Sequence, residues 1–437
     1  MPLSNDFLES IRRVITALEE IDELLVVSHY DCDGLSSACI VAKALHRWGK
    51  DFQLFIAKEL TKEVMSKLRD YDLPVLFLDL GESKLVNMLK QPIFILDHHA
   101  PAGLGREVVR ANPEDFGIHE LSGSAVAYYF AKLLDERNRD CSDLALVGAA
   151  GDMQLKDMLG TELGKAILED AEGQGLIDRI YELKLFGYSS RPLHLALSYC
   201  FDPFLPGISG NESAAVQLLA ELGIRLKDEE GKFRTLADLS EKEKEKLRTQ
   251  LVLLRSAHGI KDAESLFDWL ILLRQYGYEV NEFATILNAI GRLERYELAL
   301  SIVKEFQREQ LEGVLRDYQR RLAKELDLAQ QLLELEGDVA LVDGCGKLSV
   351  NLASPIATIL TQLLEAKIVI VVASEGEEAK FSVRNKLKLP INEIVRELAQ
   401  ELGGEGGGHL EACGARVPIG EKDEFIARLR ERLSHVV

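Results

Sequence analysis

The sequence predicts an α/β fold in three parts: an N-terminal parallel-sheet domain, a helical insertion and a smaller C-terminal α/β domain. Three observations carry this. Short apolar runs without alternation stand at Leu24–Val27, Phe52–Ile56, Val75–Leu78, Ile93–Leu96 and Val108–Val109, with amphipathic stretches such as Leu35–Trp48 and Thr61–Arg69 between them. That is the mark of parallel strands buried on both faces. From about residue 160 to 337 the pattern turns helical, with long charged stretches at Asp238–Arg255 and Leu300–Leu335 and no strand alternation. Strand-like runs return at Val339–Val342, Leu348–Val350, Ile368–Val372 and Lys380–Val383, with helices expected at 356–365, 391–402 and 422–433.

The domains so expected are 1–160, 161–337 and 338–437. Residues 1–20 read as a helix, because Phe7, Ile11, Val14, Ile15 and Leu18 recur at helical spacing. Leu300–Leu335 reads as a single connector helix of about 54 Å at the α-helical rise. Gly207–Leu226 is mixed, with a turn expected at Gly210-Asn211.

Composition bounds the function. At 437 residues with 47% hydrophobic and 28% charged residues, the chain has an ordinary globular make-up. Apolar stretches such as Ile368–Ala373 are far shorter than the roughly 20 residues that span a bilayer, so no membrane association is expected. The first residues carry no basic segment followed by an apolar one, and a cytoplasmic location is expected. The six cysteines at 32, 39, 141, 200, 345 and 413 form no CxxC pair, against a zinc ribbon or disulfide framework. A net charge of −20 argues against a broad basic face for duplex DNA. It leaves room for short strand contacts through a local groove and bound cations, and for a basic protein partner.

Four motifs stand at the carboxyl ends of strands or at a helix end, where open α/β sheets place their sites. The first, His29-Tyr30-Asp31-Cys32-Asp33-Gly34, sets an imidazole and two carboxylates at alternate positions on a strand-to-helix turn. The second is Asp79 after Phe77-Leu78, and the third Asp97-His98-His99 after four apolar residues. The fourth is Gly148-Ala149-Ala150-Gly151-Asp152, ending an apolar helical run. Each also has a plain reading as a helix cap or a satisfied loop residue. Gathered at one sheet edge, five carboxylates and three imidazoles would repel unless cations lay between them. Two divalent ions roughly 3.5–4 Å apart, sharing a carboxylate, would resolve the conflict, lower the pKa of a bound water and clamp a phosphate. Imidazole and carboxylate together suit Mn²⁺, preferred here, or Mg²⁺. A fifth motif, Gly403-Gly404-Glu405-Gly406-Gly407-Gly408-His409, reads as a glycine loop before a helix whose N–H groups would bind an anion.

These motifs resemble those of the DHH phosphoesterases. His29-x-Asp31-x-Asp33-Gly34, Asp79, Asp97-His98-His99 and Asp152 look like the family's motifs one to four, over about 22–155. The resemblance implies His29 and Asp31 on one metal, Asp33, His98 and Asp152 on the other, and Asp79 bridging. It implies His99 at the scissile phosphate with Asp97 orienting an imidazole. Asn112-Pro113 and Ser122-Gly123-Ser124-Ala125 sit where the family places a substrate-side loop and helix start. Over 338–420 the glycine motif resembles the signature of the DHH-associated domain. That implies substrate contacts from Gly406, Gly407, Gly408 and His409, joined by Arg384 and Asn385 of Ser382-x-Arg384-Asn385. Cys32, Cys413 and Glu405 depart from the family pattern.

The insertion of about 180 residues resembles that of RecJ nucleases, and a form without the further oligonucleotide-binding domain usual in bacterial RecJ, as expected here, resembles archaeal RecJ-like exonucleases. The resemblance implies a Mn²⁺- or Mg²⁺-dependent exonuclease on single-stranded DNA or RNA, releasing mononucleotides in replication or repair. A strand would thread a cleft between the α/β parts, with 5′→3′ polarity placed ahead of 3′→5′. A replication or repair protein, GINS or a helicase, is the partner implied. Alternatives are an oligonucleotide or cyclic-dinucleotide phosphodiesterase, a replisome scaffold and, last, a pyrophosphatase.

Overall fold

Five short strands build the first sheet: β1 (Glu23–His29), β2 (Asp51–Ala57), β3 (Val75–Leu78), β4 (Ile93–Leu96) and β5 (Val109–Ala111). Their order is β2-β1-β3-β4-β5, every pair parallel. The computed structural model describes residues 2–105, 108–304, 306–387, 389–408 and 410–434. It divides into two compact units, Met1–Leu311 and Glu312–Val437.

Helices cover the first sheet as its unalternating strands require: α1 (Pro2–Leu18), α2 (Cys32–Trp48), α3 (Lys62–Arg69), α4 (Gly123–Leu134) and α5 (Ser142–Gly151). Val75, Leu76, Phe77 and Leu78 are all fully buried, which is why β3 is apolar at every position. Its register places Leu78 beside Ser28 of β1 and Leu96 of β4. The residues that follow, His29, Asp79 and Asp97, therefore emerge side by side at the same edge. Close packing of α5 on α2 completes that edge. A Cβ on Gly148 would meet Asp33 Oδ1 at 2.4 Å, and one on Gly151 the Cys32 Cβ at 2.4 Å.

The insertion is built from α6 (Leu155–Met158), α7 (Glu162–Gly173), α8 (Leu193–Ser198), α9 (Glu212–Glu221), α10 (Glu241–Ala257), α11 (Val280–Arg292) and α12 (Tyr296–Lys304). Ser240 and Glu243 close a capping box at the start of α10. Leu197, Leu219, Leu247 and Leu251 form part of its core. Contrary to the expectation of helices without strands, it also holds an antiparallel sheet of β6 (Ile177–Leu183), β7 (Phe267–Leu273) and β8 (Tyr278–Glu279). Neither β6 nor β7 alternates in burial, so the period-2 signal is absent.

The connector is likewise not one helix. α12 ends at Lys304, and α13 (Arg308–Gln331) starts afresh and gives way to β9 (Leu333–Glu336). Phe306 lies between them, with its ring 5.2 Å from that of Tyr276.

In the second unit, β9, β10 (Val339–Asp343), β11 (Ile368–Glu375), β12 (Glu378–Asn385), β13 (Glu405–Gly408) and β14 (Ala412–Pro418) form a mixed sheet, order β13-β14-β12-β11-β10-β9. Helices α14 (Val350–Leu363), α15 (Ile391–Glu401) and α16 (Lys422–Ser434) accompany it, around a core that includes Val372, Phe381, Val395 and Phe425. Leu348–Val350, expected as a strand, is the entry to α14. The Leu348 N–H closes a turn on Gly344 O at 2.7 Å, and the Ser349 N–H donates to the Glu325 carboxylate at 2.8 Å.

Asp143, in the first turn of α5, is buried without an ion pair among the described residues. Burial pushes its carboxyl from 3.8 up to about 6, against the pull of the Leu144 N–H and the Lys43 charge. A carboxyl held above its unfolded value adds stability that is complete below 3.8 and is lost as pH rises through about 6. Asp143→Asn should therefore melt increasingly above the parent as pH rises from about 4 to about 8, by on the order of 1–3 kcal/mol at the upper end. A constant difference across that range, in melts followed by circular dichroism, would contradict the assignment.

Candidate metal centre

His29 ends β1, and its Nε2 lies 3.1 Å from the Lys58 carbonyl oxygen. A carbonyl only accepts, so Nε2 carries the proton and Nδ1 presents a lone pair inward. Nδ1 lies 2.9 Å from Asp31 Oδ2 and 3.5 Å from Asp79 Oδ2. Asp31 caps α2, taking the Gly34 N–H on Oδ1 at 3.1 Å and leaving Oδ2 for the centre. Asp33 is fully buried and accepts N–H groups from the start of α4, Gly123 at 2.6 Å and Ser124 at 3.0 Å.

Asp79 stands at the middle. It follows β3 with a φ of 59°, a left-handed conformation that non-glycine residues rarely hold. Its side chain is buried, and neither carboxylate oxygen has a hydrogen-bond partner among the described residues. The same is true of His29 Nδ1 and His98 Nε2. His98 Nε2 lies 3.2 Å from Asp79 Oδ1, 3.4 Å from Asp152 Oδ2 and 3.7 Å from Asp33 Oδ2.

Three groups of donor atoms converge here, each within 4.8 Å: His29, Asp31 and Asp79; Asp33, His98 and Asp152; Asp79, His98 and His99. Asp79 belongs to two of them, and His98 likewise. Buried, unsatisfied polar atoms normally cost free energy, so a cluster of them facing one another fits resident cations. The donor set of oxygens and imidazole nitrogens fits hard or borderline divalent ions.

Electrostatics record the same strain. Burial and then the Asp79 charge push Asp33 up to about 6, and burial with the charges of Asp33 and Asp31 raises Asp152. Burial opposes charge on His98, yet the nearby carboxylates of Asp79, Asp33 and Asp152 lift it to about 10. Burial also opposes charge on Asp31, but His29 holds it down at about 2. Cations would replace the protons that these acids otherwise retain.

Asp97 is placed differently. It is fully buried, and its Oδ1 accepts the His98 N–H at 2.7 Å, the His99 N–H at 3.1 Å and His99 Nδ1 at 2.8 Å. Oδ2 takes the Glu82 N–H at 3.0 Å. Burial resists its ionisation, but these bonds and the neighbouring imidazoles hold the carboxyl well below its usual range. His99 is half exposed, with Nδ1 tied down and Nε2 left outward.

Ser122–Ala125, expected at a helix start, do open α4, and Asn112 of the expected substrate-side loop braces the site. Asn112 donates to the His99 carbonyl at 2.9 Å and to Glu82 at 3.1 Å; Ser122 caps α4. Glu82 went unrecognised in the sequence. Its side chain is buried, and it accepts from Arg110 at 2.5 Å and from Ala102 N at 3.0 Å. Nothing in its local pattern marks it, because its partners lie 20 and 28 residues on.

The second unit departs most from expectation. Gly406–Gly408 form a strand, not a loop before a helix: Gly406, Gly407 and Gly408 pair with Ala415, Gly414 and Cys413 of β14. A Cβ on Gly406 would meet the Val395 carbonyl of α15 at 3.0 Å, so the glycines admit a helix lying on the strand. His409 lies outside the described residues. Arg384 is hydrogen-bonded to Thr358 at 2.9 Å and Ser354 at 2.5 Å of α14. The buried Asn385 amide donates to the carbonyls of Leu389 and Leu410 and accepts from Leu387 N.

Residues 23–149 match the DHH family N-terminal domain, 185–266 the DHH-CID domain and 342–435 the DHHA1 domain. Each of these matches covers less than half of the chain. An uncharacterized protein of Methanocaldococcus jannaschii is 28% identical over 449 residues, with 97% of each chain covered. Among solved structures, RecJ of Thermus thermophilus in complex with Mn²⁺ aligns at a TM-score of 0.58 and 17% identity. The alignment covers 98% of this chain and 55% of that one, so this chain spans about half of that protein. CDC45 of Entamoeba histolytica aligns at a TM-score of 0.61 and 12% identity, with 98% of each covered. At such identities the likeness is one of fold.

Gly123 tests the centre directly, since a Cβ there would stand 2.6 Å from Asp79 Oδ1. Mn²⁺ should raise the melting temperature of the parent chain, by about 2.7 kcal/mol of stabilisation at a hundredfold excess over Kd. Gly123→Ala should lose most of that rise while still folding. A parent chain whose melt ignores Mn²⁺ would contradict the site.

Proposed function

We propose that the chain is a two-metal phosphodiesterase, a single-strand exonuclease of the RecJ type that releases mononucleotides from DNA or RNA. The observation carrying this is Asp79, buried and unbonded between two sets of donors. His29 and Asp31 would hold one cation and Asp33, His98 and Asp152 the other, with Asp79 available to either. Mn²⁺ or Mg²⁺ bound there supplies an acidified water and a clamp on the scissile phosphate.

The chain's own groups do the rest. Lys58 O fixes the His29 tautomer, and the α4 N–H groups orient Asp33. Asp97 holds His99 by Nδ1 and favours its charged form. His99 Nε2–H is then free to donate to a phosphate oxygen or to pass a proton to the leaving group. The fold shared with RecJ supports nucleic acid as substrate, and the three matched domains span most of the region 23–435. Work in replication or repair, beside a protein such as GINS or a helicase, belongs to the same reading, as do 5′→3′ polarity and a cytoplasmic location. A replisome scaffold is the second reading. The fold shared with CDC45 supports it, and the intact donor set argues against it.

Digestion of oligonucleotides labelled separately at each end, as DNA and as RNA, tests the proposal. Mononucleotide release in Mn²⁺ should vanish in Asp79→Ala. His99→Ala should lower kcat by about 10²–10⁴ while keeping the Mn²⁺-induced rise in melting temperature. Full activity of Asp79→Ala would overturn the reading. A parent chain that binds strand without cutting it would select the scaffold.

A further inference from the structure

One helix of the insertion ties the metal loop to the loop that carries Arg191. Asn288 of α11 accepts the Cys32 N–H at 3.1 Å, between Asp31 and Asp33. A Cβ on Gly291 would meet the Tyr30 carbonyl oxygen at 2.0 Å, so this half of α11 lies directly on the metal loop. Nearly two turns earlier, about 9 Å along the axis, stands the buried Glu282. Its carboxylate accepts the N–H and O–H of both Ser189 and Ser190 at 2.7–3.0 Å. The loop entering Arg191 is thereby fixed relative to the metal centre.

Arg191 lies with its guanidinium carbon 4.9 Å from the Phe186 ring and 5.7 Å from the Tyr199 ring. Elsewhere arginines are clamped by acids: Arg47 by Asp140, Arg248 by Glu182, Arg274 by Asp178. Among the described residues no carboxylate pairs with Arg191. Glu282, whose charge it feels, is engaged by the serines. Burial, the largest influence, pulls the guanidinium pKa below its usual value, as for a cation lacking its counter-ion. A planar guanidinium with open donors is the side chain best shaped for phosphate.

The surroundings are aromatic and open. Phe186, Tyr199, Phe201 and Phe204 are 45–59% exposed within about twenty residues of chain. Phe186 also lines a cavity of about 440 Å³ shared with Gly151, Met153, Asn281, Thr285 and Asn288. Gly151 and Met153 flank Asp152, so the cavity opens beside the metal centre. Exposed rings beside this guanidinium, leading to a metal-binding edge, match how single strands are held: bases stack, and the backbone meets positive charge.

We propose that Arg191, set between Phe186 and Tyr199, binds a backbone phosphate of single-stranded nucleic acid while the exposed rings stack its bases. The strand then passes from this platform to the metal centre. This rests on the nuclease reading and adds a binding site within the insertion to it.

The test is fluorescence anisotropy of the full chain with a labelled, non-hydrolysable phosphorothioate oligothymidylate across a salt series. Arg191→Gln should weaken binding several-fold and reduce the salt slope by about 1. Arg191→Lys should keep the slope. Tyr199→Ala, altering a ring that is 59% exposed and so sparing the fold, should weaken binding about five-fold or more. Arg191→Gln and Tyr199→Ala both binding like the parent would overturn the proposal and leave the platform as a protein-docking face. That result leaves the nuclease reading intact; a parent chain that binds no strand would remove both. Should Arg191→Gln fail to fold, Tyr199→Ala and Arg191→Lys decide.

Discussion

The buried carboxylate of Asp79, held in a left-handed backbone with both oxygens unbonded, is the constraint on which the site depends. Taken alone it is unstable in two ways: the conformation is strained, and the charge is desolvated. Its surroundings intensify the conflict, since Asp33 and Asp152 add negative charge in the same buried space. Two imidazoles reach it, one tautomer fixed by the Lys58 carbonyl. Divalent cations among the acids would relieve both the desolvation and the repulsion. The parallel sheet supplies the framework, because its register brings the ends of β1, β3 and β4 level.

A second layer makes the first rigid. Asp97 gathers the His98 and His99 backbone and the His99 ring, Asn112 holds the His99 carbonyl, and Glu82 ties both to Arg110. The start of α4 serves twice: its N–H groups bind Asp33, and the absence of a side chain at Gly123 leaves room for Asp79. Helix α11 then links the insertion to the metal loop through Asn288. The insertion is therefore braced against the edge that carries the metal-ligand cluster instead of hanging from it.

Much of this was legible in the sequence. The five strands of the first sheet and the residues ending them could be read because short apolar runs stop abruptly at His29, Asp79 and Asp97. Buried parallel strands leave no other place for such groups. What could not be read was decided by tertiary contacts. The strand β13 is made of glycines with poor strand preference, and it exists because β14 pairs with it and α15 lies on it. The antiparallel sheet of the insertion lacks alternation, so its strands carry no period-2 signal. The break before α13 falls at Phe306, where no local signal marks it. Arg384 and Asn385 sit in a recognisable strand, yet their hydrogen bonds to α14 and to the Leu389 and Leu410 carbonyls depend on partners that spacing does not encode.

Anomalous diffraction at the manganese edge from a crystal grown with Mn²⁺ addresses the central claim most directly. Two peaks should appear, both within bonding distance of the Asp79 carboxylate, one nearer His29 and Asp31 and the other nearer His98 and Asp152. A single peak away from Asp79, or none at saturating Mn²⁺, would contradict the account.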